Sequence, residues 1–89
     1  MNLDTRLTIP PEVMSRLVGD ETVLLDLASG NYFGLDGVGK RIWESLSEGK
    51  SLSEIVLIVV AEYEIHEDKA QEDVLAFTTD LVERGLLAA

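Results

Sequence analysis

The sequence contains no cysteine, which excludes disulfides, thiolate metal sites and cysteine nucleophiles and suits a reducing compartment. Histidine is present once, as His66, four residues from Glu62 and next to Glu67. A metal centre needs about three or four converging ligands, so none is expected. Bases are scarce as well: seven Lys and Arg against seventeen Asp and Glu give a net charge of −10. Such a surface repels phosphate backbones and anionic lipid, so nucleic acid and membranes are not expected partners, whereas a basic peptide or protein surface is steered toward it. The longest apolar run, Ile55 to Ala61, falls far short of the roughly 20 residues of a membrane span. Met1-Asn2-Leu3-Asp4 shows no basic flank before an apolar stretch, so no signal peptide is read there and a cytoplasmic location is expected.

What is present is enough to fold. Hydrophobic residues make up 46% of 89 residues and prolines number only two, which argues against disorder despite the charge. One domain, residues 1–89, is expected, with a small core and little room for a deep catalytic cavity. The first third alternates short apolar pieces with turn residues, the mark of a strand meander. Strands are predicted at 13–18, 22–27 and 31–35, separated by Gly19-Asp20-Glu21 and Ala28-Ser29-Gly30-Asn31. Period two puts Val23, Leu25 and Leu27 on one face, and sets Phe33 and Leu35 opposite Tyr32 and Gly34. Pro10-Pro11 should keep Leu7-Thr8-Ile9 extended and outside the central sheet.

From Asp36 the apolar period lengthens to about 3.6, with Val38, Ile42 and Leu46 in one stripe, so helix 37–47 follows with Asp36 as N-cap. Gly49 ends it, and Ser51-Leu52-Ser53-Glu54 has the form of a capping box opening helix 52–63. The interior Ile55-Val56-Leu57-Ile58-Val59-Val60 is β-branched enough to compete as a strand, but the box, the span and the Leu52, Ile55, Val56, Val59, Val60, Tyr63 spacing favour helix. A third helix is predicted over 67–84, with Glu67 and Asp68 in its first turn and Gly85 just past its end. Ala70, Val74, Phe77 and Leu81 form its apolar stripe, which Leu75, Thr78 and Val82 widen, and Leu86-Leu87 should fold back onto it. The fold class is therefore α+β, a three-stranded antiparallel sheet followed by three helices.

No catalytic set emerges. Glu62, Glu64, Glu67 and Asp68 read as a solvated rim, because no apolar pocket is indicated to push their pKa values apart. The serines and threonines have no base beyond the lone histidine. Gly34, Gly37 and Gly39 precede a helix but lack the phosphate-loop ending and the dinucleotide spacing, so turn geometry explains them. What remains is a surface: a meander ends in an edge, and an edge beside a helix can accept a peptide as an added strand.

Val23-Leu24-Leu25-Asp26-Leu27, Ser29-Gly30-Asn31-Tyr32-Phe33-Gly34-Leu35, Gly39 and Ile42-Trp43 closely resemble the PqqD-like family. The resemblance continues through Leu52 to Ile55, Tyr63, Val74 to Phe77 and Arg84-Gly85-Leu86, in the same order, and is carried by that succession, not by one motif. Members of that family are recognition elements of ribosomally made, post-translationally modified peptides, with a winged-helix-like fold. The resemblance implies that a precursor's leader segment pairs with the third strand, Asn31, Tyr32, Phe33, Gly34 and Leu35, and lies against the third helix at Asp73, Val74, Phe77, Asp80 and Leu81. It implies a non-catalytic peptide chaperone without cofactor or metal, monomeric or weakly dimeric. Its partners would be the leader region and a modifying enzyme or leader protease of a lasso-peptide or radical SAM pathway.

On the residues alone, Phe33, Val74 and Leu81 fit a core as well as a groove wall. Alternatives are a member serving pyrroloquinoline quinone (PQQ) biosynthesis, an acidic accessory subunit of a larger enzyme, and a winged-helix DNA-binding regulator. The last is disfavoured by the acids of the third helix. The sequence departs from the family pattern at His66, where aspartate or serine often caps the third helix, and in its β-branched second helix.

Overall fold

The computed structural model describes residues 2–89, and its elements run β1 (Val13–Val18), β2 (Glu21–Asp26), β3 (Tyr32–Leu35), α1 (Gly37–Ser47), α2 (Leu52–Tyr63) and α3 (Glu67–Glu83). The sheet is antiparallel in the order β1-β2-β3, so that β1 and β3 are both edges. This is the α+β architecture expected from the sequence.

Local chemistry sets the boundaries. Val18 pairs with Glu21 across Gly19-Asp20, and Gly19 takes φ 62°. Glycine at the first central position is what a two-residue type II′ hairpin requires, so β2 starts at Glu21 and not at Thr22. At the other end the Asp26 carbonyl accepts the Gly30 N–H at 2.8 Å, while its carboxylate accepts from Ala28 N–H and Ser29 Oγ. The chain leaves the strand there, and Leu27, expected to extend β2, stands exposed in the loop. Asn31 closes the turn with its carbonyl, and β3 begins one residue later than expected.

Both faces of β2 carry apolar side chains, so alternation alone does not say which is covered. Leu24 and Thr22, opposite Phe33 and Leu35 of β3, point into the core; Val23 and Leu25 face outward with Met14, Val18 and Tyr32. Beneath the covered face sit Trp43 and Ile42 of α1, Leu52, Ile55 and Val59 of α2, and Ala70, Val74 and Leu81 of α3. At about 25 cal/mol per Å² of apolar surface, this one shared core supplies the main folding drive.

The β-branched α2 is a helix because its stripe Leu52, Ile55, Val56, Val59 is buried, and tertiary burial overrides propensity. Tyr63, expected in that stripe, is 38% exposed at the helix end. Its start is closed three ways. Ser51 Oγ accepts Glu54 N–H at 3.3 Å, the Glu54 carboxylate accepts Ser51 N–H at 2.8 Å, and the carbonyls of Thr5 and Leu3 accept Leu52 and Ser53 N–H. The N-terminal arm thus lies across α2 as a strap, buries Leu7, and joins Ala88 through both Thr8 backbone bonds, outside the central sheet as the prolines imply.

α3 starts at His66, whose Nδ1 accepts Asp68 N–H at 3.3 Å. It ends at Glu83, one residue before the expected Arg84, which is the C-cap. Gly85, at φ 77°, donates to the Val82 carbonyl and Leu86 donates to Leu81, the bonding pattern of a Schellman motif, with Leu81 and Leu86 both buried at the contact.

Imidazole is a poor N-cap beside a carboxylate. His66→Asp is therefore expected to stabilise the fold by about 0.5–1 kcal/mol, seen as a Tm higher by a few degrees in thermal denaturation. The Ser51 N–H bond holds the Glu54 carboxyl below its ordinary value of 4.5. A depressed folded value means stability that is present above pH 4.5 and lost as pH falls through the folded value. Denaturant midpoints measured from pH 6 downward should fall less steeply for Glu54→Gln than for the wild type.

Candidate peptide-binding site

The Asp26 N–H donates to the Asn31 carbonyl at 2.9 Å, which fixes the phase of the β2–β3 ladder. In an antiparallel pair bonded and non-bonded positions alternate, so Leu24/Phe33 and Thr22/Leu35 exchange bonds whereas Tyr32 and Gly34 do not face β2. The N–H and C=O groups of Tyr32 and Gly34 point off the sheet edge, and neither residue has another backbone partner among the described residues. Tyr32 is 74% exposed, its side chain on the outer face. At Gly34 a Cβ would stand 2.8 Å from the Glu21 carboxylate, which covers the same outer face.

The neighbouring wall comes from α3. Asp73, Phe77, Asp80 and Arg84, spaced i, i+4, i+7 and i+11, share one face beside the buried stripe of Ala70, Val74, Thr78 and Leu81. The Phe77 ring lies 3.3 Å from where a Cβ on Gly39 would stand, and Leu35 Cδ2 lies 4.0 Å from the same point. A glycine at the start of α1 is what lets this ring sit down between helix and strand. The Arg84 guanidinium stands 5.2 Å from the centroid of Phe33, a cation–π distance, and pairs with Asp80 at 3.0 Å. Phe33, Leu35 and Phe77 remain half-buried, an apolar floor open along the free edge.

Electrostatically the wall is acidic but not idle. Asp73 pairs with Lys69 at 3.1 Å and holds the Lys69 ammonium above its usual value. A cation arriving along the edge would exchange with Lys69 at Asp73 and with Arg84 at Asp80. Both pairs are solvent-exposed, the kind that breaks at little cost.

Of the residues anticipated here, Asn31 precedes β3, and Tyr32, Phe33, Gly34 and Leu35 form it. Asp73, Phe77 and Asp80 lie on the α3 face next to it. Val74 and Leu81 are 0% and 4% exposed and pack in the core, supporting that face from beneath. Arg84 was not anticipated. Its signal was present as the i+4 spacing from Asp80 and i+7 from Phe77, but a base near a helix C-terminus is also explained by the helix dipole. Among the described residues no group of three or more His, Cys, Asp or Glu is placed to hold a metal ion, and no helix is long and apolar enough to cross a membrane.

Residues 21–87 match the family described as Coenzyme PQQ synthesis protein D (PqqD). Among curated proteins there is no match. Two solved structures are similar. TbiB1 in complex with the TbiA(beta) leader peptide is 44% identical, with a TM-score of 0.85 over 89% of this chain and 92% of that one. Lasso peptide synthetase B1 complexed with the leader peptide is 28% identical, with a TM-score of 0.89 over 96% of this chain and 100% of that one. With the family match spanning β2 through Leu87, and these two folds superposing over nearly their whole length, the chain belongs to the PqqD family.

Proposed function

We propose that this protein binds the leader segment of a ribosomally made precursor peptide as a fourth strand on β3 and presents it to a modifying enzyme or leader protease of a lasso-peptide pathway. The observation that carries this reading is the unpaired Tyr32–Gly34 backbone beside the Phe77–Arg84 face of α3, in a chain whose 44%-identical structural relative was solved with a leader peptide. Main-chain bonds to the edge supply affinity, and alternate side chains dropping onto Phe33, Leu35 and Phe77 supply discrimination. Asp73 and Asp80 select for basic leader side chains. Its role is non-catalytic: it holds and orients the peptide, and the bond chemistry belongs to its partner. The cytoplasm, where precursor peptides are made, is its expected place of action. The family description favours, as a second reading, service in PQQ biosynthesis, and the identity of the precursor bound separates the two.

The test is a calorimetric titration with the leader half of a precursor peptide encoded beside this chain, at low and at physiological salt. Saturable submicromolar binding that survives salt is expected; weak binding shared with unrelated basic peptides, and abolished by salt, would overturn the reading. Phe77→Asp is expected to weaken leader binding at least tenfold, with circular dichroism unchanged. Asp73→Lys should weaken it severalfold, and the deficit should shrink as salt is raised. Tyr32→Pro removes an N–H that points away from β2, so the ladder survives while one hydrogen bond to the leader is lost. A lost bond of about 0.5–1.5 kcal/mol corresponds to roughly 2–10-fold in affinity by the same titration.

A further inference from the structure

β1 is the other free edge, and its surroundings differ from those of β3. The Leu27 N–H donates to the Glu12 carbonyl at 2.9 Å, so bonded positions of the β1–β2 ladder fall at Met14, Arg16 and Val18. The N–H and C=O groups of Ser15 and Leu17 point outward, and neither residue has another backbone partner among the described residues. Below them a cleft of about 300 Å³ opens between β1 and α1, bordered by Ser15, Leu17, Lys40, Trp43 and Glu44. Leu17 projects over it 64% exposed.

Two features of this cleft point to what it takes. Trp43 lies at its floor, 2% exposed, and the indole Nε1 is a buried donor without an acceptor. Such a group costs about 1–3 kcal/mol unless an acceptor reaches it. The second feature is charge. Arg6, Arg41, Lys69 and Arg84 are each within ion-pair distance of a carboxylate, and Glu44 on the rim is turned to Arg41 at 3.8 Å. Arg16, Lys40 and Lys50 have no carboxylate partner among the described residues; of these, Lys40 borders the cleft from α1, and Arg16 stands at the same edge with its side chain on the outer face of the sheet, opposite Val23. Lys40 spends one N–H on the Asp20 carbonyl and keeps two. In a protein of charge −10, the edge of β1 carries two bases that no carboxylate neutralises.

We propose that the β1 edge is a second strand-addition site, taking an extended, carboxylate-bearing segment of the enzyme that receives the leader. Ser15 and Leu17 supply the main-chain pairing, Arg16 and Lys40 take carboxylates on the outer and inner faces of the added strand, and the segment covers the cleft that Trp43 floors. A second copy of this chain fits less well, because β1 against β1 would bring Arg16 to Arg16 beside two Lys40 side chains. The leader and the enzyme segment do not compete. With strands spaced about 4.8 Å apart, strands added at the two edges lie roughly 19 Å from each other. The identity of the enzyme rests on the leader-binding reading; the acidic, strand-adding character of the segment rests on the cleft alone.

The test titrates the full chain separately with the leader peptide, the modifying enzyme and the leader protease encoded beside it. Affinity is followed by calorimetry and the one tryptophan indole N–H by ¹⁵N NMR. One of the two enzymes is expected to bind, to shift the Trp43 indole signal and to slow its exchange with solvent. The charge reversals Arg16→Glu and Lys40→Glu should each weaken that enzyme at least tenfold while leader affinity stays within twofold. Leu17→Pro, which removes an outward N–H and leaves the β2 ladder intact, should weaken the enzyme and spare the leader. Enzyme binding unchanged by these variants, an unmoved indole signal, or failure of both enzymes to bind while the leader does would overturn the proposal. Enzyme binding with this signature but no leader binding would overturn the leader reading and leave the β1 site standing.

Discussion

A meander of three strands in the order β1-β2-β3 cannot close on itself, and everything on this surface follows from that. Only β2 has its backbone satisfied on both sides. Each outer strand keeps a row of N–H and C=O groups facing water, a state that invites pairing with whatever extended chain comes near. Most proteins blunt such edges with charge, bulges or a covering loop. Here the edges are flanked by helices instead, α3 beside β3 and α1 beneath β1, so that each forms one wall of a trough. The arrangement converts a topological liability into two places where a peptide can be held without any change in the fold.

Much of this was legible in the sequence. The alternation of strands with turn residues, the glycine turns, the Ser51–Glu54 box and the Gly85 stop all act locally, and local signals are what a chain displays in order. The phase of the sheet was harder to read. Val23 and Leu25 are as apolar as Thr22 and Leu24, so nothing in β2 itself says which pair is covered; that is decided by β3 and the helices beneath. The same limit applies to α3, where Val74 and Phe77 belong to one stripe by spacing, yet Val74 is buried in the core and Phe77 lies half-buried over Gly39. The place of Arg84 in the site is not legible for a related reason, since its partner Phe33 is distant in sequence and only the folded chain brings them together.

The charge balance also acquires a meaning in three dimensions that it lacks in composition. A net charge of −10 predicts only attraction to basic partners. Once folded, Asp73 and Asp80 beside β3 are each paired with a base on the same helix, while Arg16 and Lys40 stand without carboxylate partners at the opposite edge. The two edges of one small sheet therefore differ in their charged surroundings, with paired acids beside β3 and unpaired bases beside β1. A partner's charge would then choose its side before its shape is tested.

The Thr8–Ala88 pair, which joins the N-terminal arm to the end of the chain, has a mechanical consequence. Its two hydrogen bonds run in an antiparallel bridge, so the ends emerge side by side from it. A load across those ends peels the bridge open; it does not shear it lengthwise. Traction on the C-terminal side therefore opens that seam first, whereas a pull on the N-terminal side must first break the bonds of Leu3 and Thr5 to the start of α2; in either direction these clasps are loaded before the core around Trp43.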